Sequence, residues 1–315
     1  MNVLIKAAKI LDASSPHHNT IQDIYIADGV IQKMGKNLSF PDAKQISFKN
    51  LHISQGWFDS SVSFGEPGYE ERETLTHGLD VAASSGFTHI ALNTNTDPKP
   101  DSRADIAFLL EQANGSPVHL YPKARITTSE SESKLAPLRE LQVTGAVCFS
   151  NHKSALANAN ILKLALQYTH DFDGLVESFA FNQDMGNGGV MHEGWVSTQL
   201  GLPGTPEISE DLAVEKKIML ARKSGARLHL LHNSTKGAVE AIARAKHVRV
   251  ISHIMNRGQG AAFETGFRLV RKMDIDCVVT FDSDGQVHAK DVEKLCEPIF
   301  TGKVDVVLGN RFMKA

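Results

Sequence analysis

The stretch FTHIALNTNTDPKPDSRADIAFLLEQANGSPVHLYPKA, Phe87 to Ala124, runs from a short apolar segment through a Pro- and Asp-rich loop into a longer helical pattern. It leaves that pattern, RADIAFLLEQA, through another turn and enters a second apolar segment, PVHLYPKA. Strand, helix, strand in this order is the crossover unit of a parallel sheet. The rhythm extends both ways. LHISQGWFDSS and a helix precede it; AVCFSN, LANANILKLALQY, GLVESFAF, a glycine-rich excursion, EDLAVEKKIMLARKSG, ARLHLLHNS and AVEAIARAK follow. Repeated βα units define an α/β fold on a parallel sheet, open or closed, whose chemistry belongs at the carboxyl ends of the strands.

Composition narrows the function classes. The 315 residues suffice for one large α/β domain or two ordinary ones. With 33 basic and 36 acidic side chains and no basic tract, nucleic acid is excluded as a partner. Cys148, Cys277 and Cys296 form no C-x-x-C pair and read as buried thiols of a reducing compartment. MNVLIKAAKILDA is interrupted by Lys6 and Lys9, and no apolar run reaches membrane-spanning length, so the expectation is a cytoplasmic chain without a membrane span.

Before the βα units, residues 1–50 alternate like short strands, with IQDIYI and VIQKMG joined through Asp28 and Gly29 as a hairpin. After Lys246 the loops change character: VRVISHIMN, GAAFETGFRLVRKM, CVVTFDSD, KDVEKLCEPIF and DVVLGNRF make a βαβαβ run with one glycine-rich and one acidic loop.

The loop most exposed to functional reading is GWFDSSVSFGEPG, Gly56 to Gly68, at a strand exit. It offers one carboxylate, Asp59, and three hydroxyls, a poor set for a catalytic cation. Taken alone, Asp59 caps a turn, Asn95 satisfies loop backbone and His232 is a hydrogen-bonded core histidine. His229 and His232 alternate to opposite faces and cannot easily share one ion.

Residues 1–246 resemble a dihydroorotase of the amidohydrolase superfamily. Asp59 to Gly68 is similar to that family's D-x-H-x-H-x-R-E-P-G pattern, NTDP (Asn95 to Pro98) to its N-T-x-P loop, and LLHNST (Leu230 to Thr235) to its H-x-S-T strand. The resemblance implies two zinc-binding histidines where Ser61 and Ser63 stand, and a carboxylate-binding arginine where Gly65 stands. Ser150 to Lys153 departs from the family's acidic loop, and Glu177 to Phe179 lacks its histidine. Asp59, Asn95 and His232 remain as family-matching positions. The expectation is therefore no metal, no cofactor and no catalytic residue in this part. In some bacteria such chains resemble structural partners of aspartate transcarbamoylase, which makes that enzyme, or a second copy of this chain, the implied partner.

Residues 247–315 resemble family-2 glycosyltransferases of the polyprenol-phosphate sugar synthase type, through NRGQGAAFETG, VVTFDSDGQ and DVVLGNRF. That resemblance assigns Asp282 and Asp284 to a nucleotide-sugar site with a weak Mg2+ or Mn2+ ion; the residues alone read equally as a solvated turn. The nucleobase-binding strand of that family has no counterpart upstream.

The expected architecture is a (β/α)8-barrel-like fold. A small β subdomain (1–50) precedes a partial dihydroorotase-like barrel (51–246), and the glycosyltransferase-like segment (247–315) supplies the last strands. Three functions remain open on the sequence: a non-catalytic dihydroorotase-like binding or scaffolding protein, a nucleotide-sugar-binding protein, or a recombined chimera without evolved activity.

Overall fold

The structure, a computed structural model, describes residues 2–186 and 188–245. The described residues divide into two compact units, one of residues 2–152 and 171–176, the other of residues 153–170 and the described residues from 177 to 245. The sequence-based assignment of residues 247–315 to the last barrel strands, with Asp282, Asp284, Cys277 and Cys296, lies outside the described residues.

The first unit opens with β1 (Val3–Leu11), β2 (Ile21–Ala27), β3 (Val30–Gly35), β4 (Lys44–Ile46) and β5 (His52–Ser54). They form one sheet in the order β3-β2-β1-β4, with β5 also on β1. The expected hairpin is present: β2 and β3 are antiparallel, and Asp28 and Gly29 turn the chain with φ of 52° and 75°. LHISQGWFDSS, read as one strand, is two. His52 pairs with Lys9 of β1 and so belongs to this sheet, and the next strand starts only at Trp57.

A buried carboxylate ties the sheet together. Asp23 accepts hydrogen bonds from Lys6 Nζ (2.5 Å), the Ala7 amide (2.8 Å) and the Leu38 amide (2.9 Å). Ala7 sits at a register shift between β1 and β2 with φ of 51°, so the carboxylate holds a bulge that alanine would otherwise resist. Burial works against the charge of Asp23, but the bonds from Lys6, Ala7 and Leu38 outweigh it and hold the carboxyl below its usual range.

The parallel part of this unit comprises β6 (Trp57–Val62), α1 (Leu75–Ser84), β7 (Phe87–Leu92), α2 (Arg103–Gln112), β8 (His119–Ala124), α3 (Leu138–Thr144) and β9 (Cys148–Ser150). β6, β7, β8 and β9 lie side by side and parallel. The pleat divides their side chains. Ile90, Leu92 and Leu120 join Leu75 and Leu79 of α1 and Leu109 of α2 in a buried cluster, while His89 stacks on Tyr121 and lies near His119 on the other face. α2 starts where Ser102 and Asp105 cap each other's backbone. α3 starts at Leu138, later than the expected KLAPLREL, because Pro137 occupies the cap position.

The second unit contains α4 (Ala159–His170) and most of β10 (Leu175–Phe179), followed by α5 (Gln183–Gly186), β11 (Met191–His192), α6 (Trp195–Leu200) and β12 (Gly204–Thr205). The stretch read as a glycine-rich excursion carries short elements, with β11 parallel to β12. α7 (Ile208–Ser224), β13 (Arg227–Leu231) and α8 (Lys236–Arg244) complete it, with β13 beside β10. Ala213, Val214, Ala238 and Ala241 pack together in its core, and such small side chains let α7 and α8 approach closely.

Replacing Asp23 by Ala leaves the bulge unsupported. The expected loss is about 1.5–3 kcal/mol near neutral pH, measured by urea unfolding. Because the native carboxyl is the more acidic one, this contribution is present above the ordinary carboxylate range and disappears on acidification, so wild type and variant converge at low pH.

Candidate functional site at the strand exits

Asp59 turns onto its own backbone. Its Oδ1 accepts from the Ser61 amide at 2.9 Å, which closes a turn two residues on. Val62 packs into the helix-facing core, which leaves Ser61 and Ser63 on the opposite side. There a single side chain meets both. Asn93, 3% exposed at the end of β7, donates from Nδ2 to Ser61 Oγ (3.2 Å) and to Ser63 Oγ (3.0 Å). Its own amide donates to the Val62 carbonyl at 2.8 Å, which fixes the asparagine against β6.

This geometry tests whether the residues present fit the zinc that the family resemblance implies. They do not. Two neutral hydroxyls are weak ligands, and their lone pairs already receive hydrogens from an amide whose positive end faces the same space. Among the described residues no group of three or more His, Cys, Asp or Glu side chains is arranged to hold a metal.

Asn93 is the residue that reading the sequence missed. Asn95 was the position singled out, and its Oδ1 is buried without a hydrogen-bond partner among the described residues. The signal was available in parity: residues 89, 91 and 93 share one face of β7, so the asparagine that continues the strand faces the serines.

Gly65 has a second reason to be glycine. Its amide donates to the Glu73 carbonyl (2.9 Å) and its carbonyl accepts from the Tyr69 amide (2.9 Å). A Cβ there would lie 1.8 Å from the Tyr69 carbonyl oxygen, so no arginine fits without moving the loop. Glu66 is retained for a helix: its Oε2 accepts the Leu75 amide at 2.7 Å, beside the N-cap Thr74.

The β8 and β9 exits are joined to their neighbours by hydrogen bonds. Asn151 accepts the Ile126 amide (3.0 Å) and donates to Thr127 Oγ1 (2.9 Å), and Thr94 donates to the Ser150 carbonyl (2.8 Å). Asn151 thus serves as a loop brace. Lys123, on the same strand face as Tyr121, is 2% exposed.

In the second unit, Glu177 is buried and its Oε1 lies 3.2 Å from His229 Nδ1. His232 follows the end of β13 with φ of 54°, so strand alternation does not extend to it; its ring meets Phe179 edge-on at 6.0 Å. The Ser and Thr of the H-x-S-T motif hold a buried carboxylate. Glu210 accepts from the Ser234 amide and hydroxyl (both 2.7 Å) and from the Thr235 amide (2.9 Å). Lys217 of α7, 1% exposed, donates to Ser178 Oγ at 2.9 Å and to the Phe179 carbonyl. Burial, with a smaller contribution from Lys216, lowers its pKa to about 7.

Residues 52–238 match the profile of a family described as Dihydro-orotase-like. The chain belongs to the dihydroorotase-like family. The dihydroorotase of Pelotomaculum thermopropionicum is 33% identical over 98% of this chain and 70% of its own length. That of Syntrophus aciditrophicus is 30% identical over 98% of this chain and 72% of its own. Among solved structures, the L-hydantoinase (dihydropyrimidinase) of Arthrobacter aurescens superposes with a TM-score of 0.62 at 18% identity, over 77% of this chain and 55% of that one. The dihydropyrimidinase of Brevibacillus agri gives 0.59 at 20% identity, over 78% and 55%. The chain therefore spans about half the length of these structures, and at such identities the likeness carries the fold, the amidohydrolase barrel. Residues 232–314 also match glycosyl transferase family 2. No helix of the described residues is long and apolar enough to cross a membrane.

Two outcomes follow for the dihydroorotase-like chain. Gly65→Arg should cost at least about 2 kcal/mol in urea unfolding, because overpacking against backbone cannot be relieved by a rotamer change. Stability should also rise with pH between about 7 and the ordinary lysine range, where the unfolded chain holds a proton that native Lys217 has released. The slope is bounded by about 1.4 kcal/mol per pH unit, and Lys217→Met should remove it.

Proposed function

We propose that this chain is a dihydroorotase-like protein that has left amide hydrolysis and serves a binding or scaffolding role in the cytoplasm, connected with pyrimidine biosynthesis. The observation that carries this reading is Asn93 donating to both Ser61 and Ser63, which converts a strand exit suited to cations into a neutral hydrogen-bonded group. Amide hydrolysis near neutral pH needs an activated water and a polarised carbonyl, and a bound divalent ion commonly supplies both. The family pattern's arginine position is closed to any side chain as well. The partner in this reading is aspartate transcarbamoylase or a second copy of the chain.

The match of residues 232–314 to glycosyl transferase family 2 favours a second reading, a recombined chain that binds a nucleotide sugar through Asp282 and Asp284 with Mg2+ or Mn2+. Those residues lie outside the described part, so the serine exit remains the stronger support.

The test is a turnover assay with dihydroorotate and with carbamoyl-aspartate, zinc added. No rate above the uncatalysed background is expected from wild type. The double variant Ser61→His, Ser63→His should stay inactive too, since the Ser150 to Lys153 and Glu177 to Phe179 exits and Gly65 also depart from the pattern and groups that act as a unit do not recover singly. Zinc-dependent turnover by either protein would overturn the reading.

A further inference from the structure

The face of β7 and β8 that carries Tyr121 also carries two imidazoles that the strand-exit group does not use. His89 and His119 are partners in the parallel ladder, so both side chains stand on the same face, and their ring centres lie 5.0 Å apart. His119 is exposed and His89 half-buried, so the pair is reachable from solvent. His89 Nδ1 meets Thr88 Oγ1 at 2.8 Å and Tyr121 stacks on the ring, and these two contacts hold the imidazole in place. Where Nδ1–H donates to that hydroxyl, Nε2 keeps the lone pair, the arrangement that prepares a histidine for a metal. Among the described residues none hydrogen-bonds the His119 ring and competes for its nitrogens.

We propose that His89 and His119 together bind a late first-row divalent ion, Cu2+ most tightly. An imidazole nitrogen takes such an ion at about 2.0–2.1 Å and its ring centre lies about 1.1 Å behind, so two rings on one ion at an angle of about 90–110° have centres about 4.5–5.2 Å apart. The 5.0 Å between these two rings falls within that interval. Imidazole is a favoured ligand of copper, nickel and zinc, and copper heads their order of affinity. With two protein ligands the remaining positions fall to water, and the ion stays exchangeable. The second imidazole supplies much of the hold, since once one ring is bound the other already stands beside the ion. The pair is separate from the Ser61, Ser63 and Asn93 group: His119 is the first residue of β8, whereas those three gather where β6 and β7 end. Zinc, held more weakly than copper, is lost from such a site on desalting.

The chain contains two tryptophans, so Trp195→Phe leaves Trp57, on β6 beside β7, as the only reporter. In this full-length variant, Cu2+ should quench the emission in the micromolar range. Adding His119→Gln, at an exposed position, should raise the half-quenching concentration at least about tenfold, because a single imidazole is left. Adding His77→Gln, which removes a histidine of α1 instead, should leave it unchanged. Electron paramagnetic resonance of the chain with its tryptophans intact, at less than one equivalent of Cu2+, gives a readout that does not depend on emission: two imidazole nitrogens coupled to the ion, and one in His119→Gln. Equal half-quenching concentrations with and without His119, or a nitrogen coupling that His119→Gln leaves unaltered, would show that the rings only stack and would overturn the proposal. Quenching that sets in only at millimolar Cu2+ would overturn it as well.

Discussion

One buried amide decides what this strand exit can do. Asn93 is fixed by its backbone bond to Val62 and spends both hydrogens of its Nδ2 on the hydroxyls of Ser61 and Ser63. A divalent ion and an N–H hydrogen compete for the same oxygen lone pairs, and a neutral hydroxyl offers the ion little in return for leaving water. The rest of the loop is held by its own backbone. Asp59 turns inward to its own backbone, and the chain folds tightly enough over Gly65 that any Cβ would meet a carbonyl.

Several parts of the family pattern that are kept have structural partners. Glu66 accepts the first free amide of α1; Ser234 and Thr235 satisfy the buried carboxylate of Glu210. Losing any of these would leave a buried polar group unpaired, at a cost of about 1–3 kcal/mol whether or not the protein is an enzyme. A histidine whose only partner is a metal carries no such structural requirement.

Much of this was legible in the sequence, for identifiable reasons. The hairpin at Asp28-Gly29 and the long patterns that became α2, α4 and α7 carry strong local signals, and they stand where periodicity placed them. The break between β5 and β6 was hidden, because LHIS and WFDSS are both apolar enough for one strand and only pairing with Lys9 assigns the first to another sheet. The two-residue strands β11 and β12 were invisible to any periodicity argument. The serines in place of histidines were plain from the motif; parity gave the face of Asn93, but only the pairing of Val62 with Leu92 sets its side chain beside those serines.

The account stands or falls on whether the Ser61, Ser63 and Asn93 group takes a metal. Full-length protein, purified without chelator, incubated with zinc and desalted, should carry zinc well below one ion per chain when its metal content is measured. Zinc bound at one or two ions per chain, and lost when Ser61 and Ser63 are replaced by alanine, would contradict it.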